Sequence, residues 1–338
     1  MALLDQLWKK GKDFLGCRYP IISGAMSWIS TSDLVIDVCK NGGFGVLAGG
    51  NMPAEMLAKE IDTCAAALNG APFGVNMITI APVYKQQLEI VKDKNVPFVV
   101  FAGTLPSKEE VAMMKDSGKK VFTFAPTETI AKRMLKFGAD ALIIEGMESG
   151  GHIGPVSTLV LIQEILQKFK DQTNVFVAGG IATGEMMAHL LLMGAAGVQL
   201  GTRFVMTEEC KVHPKMKEAF VRAKARNAAA STQVDPALPI VSVRALENTA
   251  SGEFAKLQIE TIARINKGEI SREDGIKIVE NFWLGGLRKA VVDGDTENGS
   301  VMSGQSVGLM NEIKPMAQVF TDLVNEAEAE LQRVKALF

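Results

Sequence analysis

With 338 residues, 47% of them hydrophobic and 22% charged, the chain can bury the core of one large α/β unit and carries an ordinary share of charge. A formal net charge of −2 gives no whole-chain attraction to nucleic acid or to a membrane surface, and neither is expected as a partner. The cysteines, Cys17, Cys39, Cys64 and Cys210, show no Cys-x-x-Cys spacing, so they read as inert thiols of a cytoplasmic protein and no metal centre is expected on them.

At the N-terminus Leu3, Leu4, Leu7, Trp8 and Phe14 recur at helical spacing, but Asp5, Lys9, Lys10, Lys12 and Asp13 break the apolar run that a secretory signal needs. An amphipathic lead-in helix is expected. Eight short runs rich in Val, Ile and Phe then read as strands, near residues 19–23, 44–48, 73–77, 98–101, 120–124, 141–145, 175–178 and 197–201. They are continuously apolar, as strands covered on both faces should be. Their spacing of about 21 to 34 residues is one strand plus one helix. Helices are expected over 31–41, 53–68, 107–117, 127–137, 157–170 and 184–193, several of them opened by Ser or Thr and closed by Gly. The longest apolar stretch, near Leu190 to Leu200, falls far short of the about 20 residues that cross a bilayer, and Gln199 interrupts it.

Eight parallel strands with crossover helices predict a (β/α)8 TIM-type barrel, because closure removes exposed edges. An open doubly wound sheet is the competing arrangement. Residues 207–281 look different: charged, helical, without a clear strand, including the Ala-rich stretch 226–231. They are expected to form a helical insertion or cap domain, with 1–206 and 282–338 making the barrel. The cap reads either as a lid or as the interface of a homodimer. The last helix is expected from about Lys314.

Barrel active sites lie at the C-terminal ends of the strands. Here those ends are followed by Gly24-Ala25-Met26-Ser27, by Gly49-Gly50-Asn51, by Gly103-Thr104, and by Glu145-Gly146-Met147-Glu148-Ser149-Gly150-Gly151-His152. Gly179-Gly180-Ile181 and Gly201-Thr202 follow the last two strands. Those two glycine elements can present bare backbone N–H groups, helped by the helices behind them, which predicts a phosphate site. His152 follows two glycines on the loop after the sixth strand and suits proton transfer near neutral pH. The other histidines, His189 in an apolar helix and His213 in the charged insertion, read as structural. Glu145 can orient His152 or take a ligand hydroxyl, and Glu148 reads as a solvated or capping carboxylate. Asn76 ends a buried strand, where its amide needs partners and can read a heterocycle edge.

These elements, together with Gly42-Gly43-Phe44-Gly45, Pro72-Phe73-Gly74-Val75-Asn76 and Gly294 through Gln305, resemble the nitronate monooxygenase superfamily. Within it they are most similar to the FMN-dependent enoyl-[acyl-carrier-protein] reductases of the FabK type. The resemblance implies FMN in the barrel mouth and NADH or NADPH as reductant, with a monovalent cation left open. It places FMN on Gly24, Ala25, Met26, Asn76, Gly179, Gly180, Gly201 and Thr202, with Gly49, Met302, Gly304 and Gln305 as further contacts. Glu145, Gly150 and Gly151 join that cofactor set from the loop that carries His152, the candidate catalytic residue. Many nitronate monooxygenases have Arg directly after this His; Ile153 stands here, as in the reductase branch. The expected reaction is therefore reduction of a 2-enoyl thioester on acyl carrier protein. The alternatives are oxidation of alkyl nitronates with O2, and an inactive module that binds carrier protein or flavin. A carrier protein is acidic. Arg203, Lys211, Lys215, Lys217, Arg222, Lys224 and Arg226 against Glu208, Glu209 and Glu218 make a candidate basic docking stretch.

Overall fold

The eight apolar runs do form parallel strands, and they close on themselves. In the computed structural model, which describes residues 3–50, 52–236 and 238–338 and only the backbone of Leu284, the barrel strands are β1 (Ile21–Ser23), β2 (Phe44–Ala48), β3 (Gly74–Ile78), β4 (Phe98–Ala102), β5 (Lys120–Phe124), β6 (Ala141–Glu145), β8 (Asn174–Ala178) and β9 (Gly197–Leu200). Closure comes from β1 beside β9, with Ile22 opposite Gln199. Asn51, expected at the mouth, lies outside the described residues.

Helices α1 (Leu3–Leu7) and α2 (Lys9–Leu15) are the lead-in. Phe14 of α2 enters the N-terminal end of the barrel, its ring 5.6, 5.5 and 6.2 Å from those of Phe98, Phe122 and Phe176. That aromatic plug leaves the opposite, C-terminal end as the open one. Around the strands run α3 (Ser32–Lys40), α4 (Ala54–Leu68), α5 (Tyr84–Asp93), α6 (Lys108–Asp116) and α7 (Glu128–Phe137). Next come α8 (Thr158–Leu161) and α9 (Gln167–Phe169), joined by a π turn, then α10 (Gly184–Leu192) and the short α11 (Thr202–Val205). Helix α5 has no counterpart among the expected helices. Its inward stripe is Tyr84, Gln87, Leu88 and Val91, and the glutamine hides the apolar period.

Residues 207–281 depart from the helical expectation. They contain α12 (Pro214–Arg222) and α13 (Thr249–Asn266), but also β10 (Ala228–Ala230) and β11 (Val243–Leu246). These pair with β7 (Gly151–His152) in an antiparallel sheet of order β10-β11-β7. Alanine favours helix only weakly, and the backbone partners offered by Arg244, Ala245 and Leu246 outweigh that preference. Helix α14 (Arg272–Arg288) runs across the boundary expected at 281. A separate apolar cluster of Leu238, Val243, Phe254, Val279 and Trp283 supports this region. The chain ends in α15 (Met316–Lys335), which lies along α10. Among the described residues no helix is long and apolar enough to cross a membrane.

Candidate functional site

Alternation along a strand puts every second side chain inside the barrel. On β6 the inward set ends with Ile143 and Glu145, on β8 with Phe176 and Ala178, and on β9 with Gln199, since these residues stand beside one another across the ladders. The top of the interior therefore changes from phenylalanine to a carboxyl and an amide. A cleft opens above them. It is lined by Gly24, Ala25 and Met26 from the loop after β1, by Glu145, Ser149 and Gly150, by Ala178 to Ile181, by Gln199 to Thr202, and by Gly304 and Ser306 of the C-terminal segment.

Ten of the residues expected around a cofactor meet in this cleft: Gly24, Ala25, Met26, Glu145, Gly150, Gly179, Gly180, Gly201, Thr202 and Gly304. Gly49, Asn76, Gly151, Met302 and Gln305 stand behind or beside it. Gly49 N–H donates to Asn76 O at 3.0 Å, and an added Cβ on Gly49 would fall 2.3 Å from that oxygen. Asn76 Nδ2 donates to Val100 O at 3.1 Å, leaving Oδ1 as its acceptor. Gln305 N–H donates to Glu148 O at 2.9 Å and Gly304 N–H to Thr202 Oγ1 at 2.9 Å, which ties the C-terminal segment across the loops after β6 and β9. Gln199, Ser149 and Ser306 were missed as site residues. The available signal was Gln199 itself, a lone amide in an apolar strand.

Gly179 and Gly180 have φ of 98° and 74°, a conformation that glycine adopts without strain. This turn points outward, and among the described residues the N–H groups of Gly180 and Ile181 have no acceptor. Such free donors fit an anionic oxygen. The helix behind them contributes less than expected: α10 is capped by Thr183, whose Oγ1 accepts from Met186 N–H, and Gly184 N–H donates to Glu326 of α15 at 2.6 Å. Burial pushes the Glu145 carboxyl up to about 7, opposed by the nearby Ser149 hydroxyl and His152. The Ser149 hydroxyl makes no hydrogen bond of standard geometry. Glu148 serves α8: its carboxylate accepts from Thr158 N–H at 3.0 Å and Thr158 Oγ1 at 2.8 Å.

His152 is not on a free loop. It belongs to β7, opposite Val243 in the small sheet, with its side chain 46% exposed and Nε2 3.3 Å from Glu280 Oε2 of α14. It stands outside the lining of the cleft, toward the cap. Ile153 is buried, its N–H donating to Ser242 O at 2.9 Å. His189 pairs with Glu330 at 2.6 Å, and His213 caps α12 by accepting from Lys215 N–H at 3.2 Å.

The expected basic docking stretch is thinner than its sequence. Arg203 and Lys217 are buried, and the Lys217 ammonium donates to the carbonyls of Thr207 and Glu208. Lys211 is paired with Asp33 and Arg222 with Glu218. Helical periodicity turns Lys217 inward, so linear charge counting overstated the surface. Lys215, Lys224 and Arg226 stay exposed.

Comparison with known proteins adds the lineage. The nitronate monooxygenase family model matches residues 9–83 and 77–326. The structure of FabK from Thermotoga maritima superposes with a TM-score of 0.85 at 34% identity, covering 97% of this chain and 98% of that one. A curated relative of Mycobacterium tuberculosis, a hydroxy-methyl-oxo-octahydro-indene-carboxyl-CoA dehydrogenase, is 28% identical over 96% of this chain and 97% of its own. A probable nitronate monooxygenase of Staphylococcus aureus is 24% identical over 96% of this chain and 99% of its own.

Proposed function

Because the chain belongs to the nitronate monooxygenase family of oxidoreductases, we propose that it is an FMN-dependent reductase of 2-enoyl thioesters that draws its electrons from NADH or NADPH. The carrying observation is that the cleft is lined by no cationic side chain, and that the position after His152 holds a buried isoleucine. A small anionic nitronate would have no counter-charge there, whereas a neutral thioester needs none. The relative that acts on a CoA ester is consistent with this substrate class.

The residues fit the cofactor's chemistry. The unpaired N–H groups of Gly180 and Ile181 and the bare backbone at Gly201 would hold the phosphate. Glu145, Gln199 and the Oδ1 of Asn76 offer donors and acceptors where the ring edge would lie. When bound, FMN supplies the two-electron relay between the nicotinamide and the β-carbon of the enoyl group. His152, steadied by Glu280, sits at the rim, where its imidazole can hold the thioester or move the proton that completes the α-carbon. The acyl group arrives on acyl carrier protein, and Lys215, Lys224 and Arg226 are the exposed cations left to meet it. The cap serves as a lid or as the contact of a homodimer.

The test is anaerobic oxidation of NADH or NADPH by the purified yellow protein with a crotonyl thioester. Substrate-dependent turnover is the expected result. Oxygen uptake with a propyl nitronate and no nicotinamide, without thioester turnover, would overturn the proposal in favour of nitronate oxidation.

A further inference from the structure

Large aromatic side chains in this fold are buried or half-buried, with two exceptions among the described residues: the C-terminal Phe338 and Trp28, which is 51% exposed. Trp28 sits in the loop after β1, two residues beyond Met26 of the cleft lining. Its φ of 66° is costly for a bulky L-residue. The loop holds that conformation with its own hydrogen bonds. Ser30 Oγ accepts from Met26 N–H at 3.0 Å and donates to Gly24 O at 3.0 Å, while Ile29 and Ser30 N–H both donate to Met26 O. The turn that shapes one wall of the cleft therefore also holds an indole at the rim.

A cation stands over this ring. The Arg288 guanidinium, at the end of α14, lies 6.0 Å from the Trp28 centroid. Nη1 contacts Asp293 at 3.2 Å, whereas Nε and Nη2 have no acceptor among the described residues. Arg288 is two helical turns beyond Glu280, the partner of His152, so α14 spans roughly 12 Å of the rim between the two pairs. An open aromatic face beside a guanidinium with spare donors matches a purine joined to a phosphate: the ring stacks, and the fork takes the oxygens.

We propose that Trp28 and Arg288 form a rim subsite for an adenosine diphosphate group, which deepens the proposed use of NADH or NADPH by naming where the half remote from the nicotinamide is held. The same group is carried by coenzyme A, so the experiment separates the two sources.

ADP is titrated into the flavin-loaded protein, with binding read by calorimetry and by tryptophan fluorescence. Saturable binding is expected, weakened roughly tenfold or more by Trp28→Ala and by Arg288→Gln, and largely restored by Trp28→Phe, which keeps a stacking face. Retained FMN in each variant controls for folding. Turnover assigns the source. The ratio of kcat/KM for NADH to that for reduced nicotinamide mononucleotide should fall roughly tenfold in Trp28→Ala. If instead the ratio for crotonyl-CoA to crotonyl-pantetheine falls, the subsite stands and serves the acyl carrier. ADP binding that is absent, or unaltered in both variants, overturns the inference. Because ADP binding is measured without turnover, a protein inert toward thioesters would defeat the proposed reaction and still report on this subsite.

Discussion

A single carboxyl concentrates much of the chemistry of the cleft. Glu145 closes β6 facing the barrel interior, and burial raises it from 4.5 to about 7. Below the lower value the carboxyl is neutral in the folded and unfolded chains alike. As pH rises, the unfolded chain ionises first, so the stability held by the protonated form is lost through about pH 7, by a few kcal/mol at most. Urea unfolding of the wild type and Glu145→Gln at about pH 5 and about pH 7.5 checks this. The wild type should lose stability relative to the variant at the higher pH, and a constant difference would count against a buried acid. From the sequence, Glu145 was visible as a strand-end carboxylate. Its altered acidity was not, because it depends on which neighbours remove water from it.

The helical elements show how close packing constrains individual positions. Gly184 opens α10 where α15 crosses it, and an added Cβ would lie 2.1 Å from Leu323 O and 2.6 Å from Glu326 Cβ. Gly184→Ala should therefore destabilise by about 1–3 kcal/mol, even though alanine is the better helix former. Gly252 in α13 has nothing within 4 Å of such an atom, and Gly252→Ala should stabilise by up to about 1 kcal/mol. Thermal or urea denaturation of the pair checks both signs. Equal shifts would mean that backbone propensity, not the α10–α15 contact, governs position 184. Element identity was largely legible from periodicity, as Phe44–Ala48 and Lys120–Phe124 show. It failed where a polar residue interrupts the stripe, as Gln87 does in α5, and where a three-residue strand has no period of its own.

Across the whole molecule, cap and barrel are joined by more than the chain. Helix α14 begins in the cap and ends beside Trp28, β7 of the barrel loop completes the cap sheet, and Met302 packs against both the main core and the cap cluster. One cooperative unfolding transition is expected. In a variant with Trp8 and Trp28 replaced by Phe, fluorescence of Trp283 in the cap cluster should change at the same denaturant concentration as far-UV circular dichroism, which the barrel dominates. An earlier fluorescence transition would show that the cap unfolds independently.

The sequence by itself determined the barrel, because apolar runs repeating at the length of one strand and one helix permit little other than parallel pairing, and because glycine at strand ends marks where backbone must turn sharply. It also brought ten of the cleft residues to notice, since glycines and short polar side chains at strand ends are local features. Tertiary structure decided what locality cannot express. It withdrew His152 into the cap sheet beside Glu280, gave the α10 N-terminus to Glu326, buried Lys217, and set Arg288 over Trp28. Each of these joins residues distant in the chain, and only the packing of whole elements sets which of them meet.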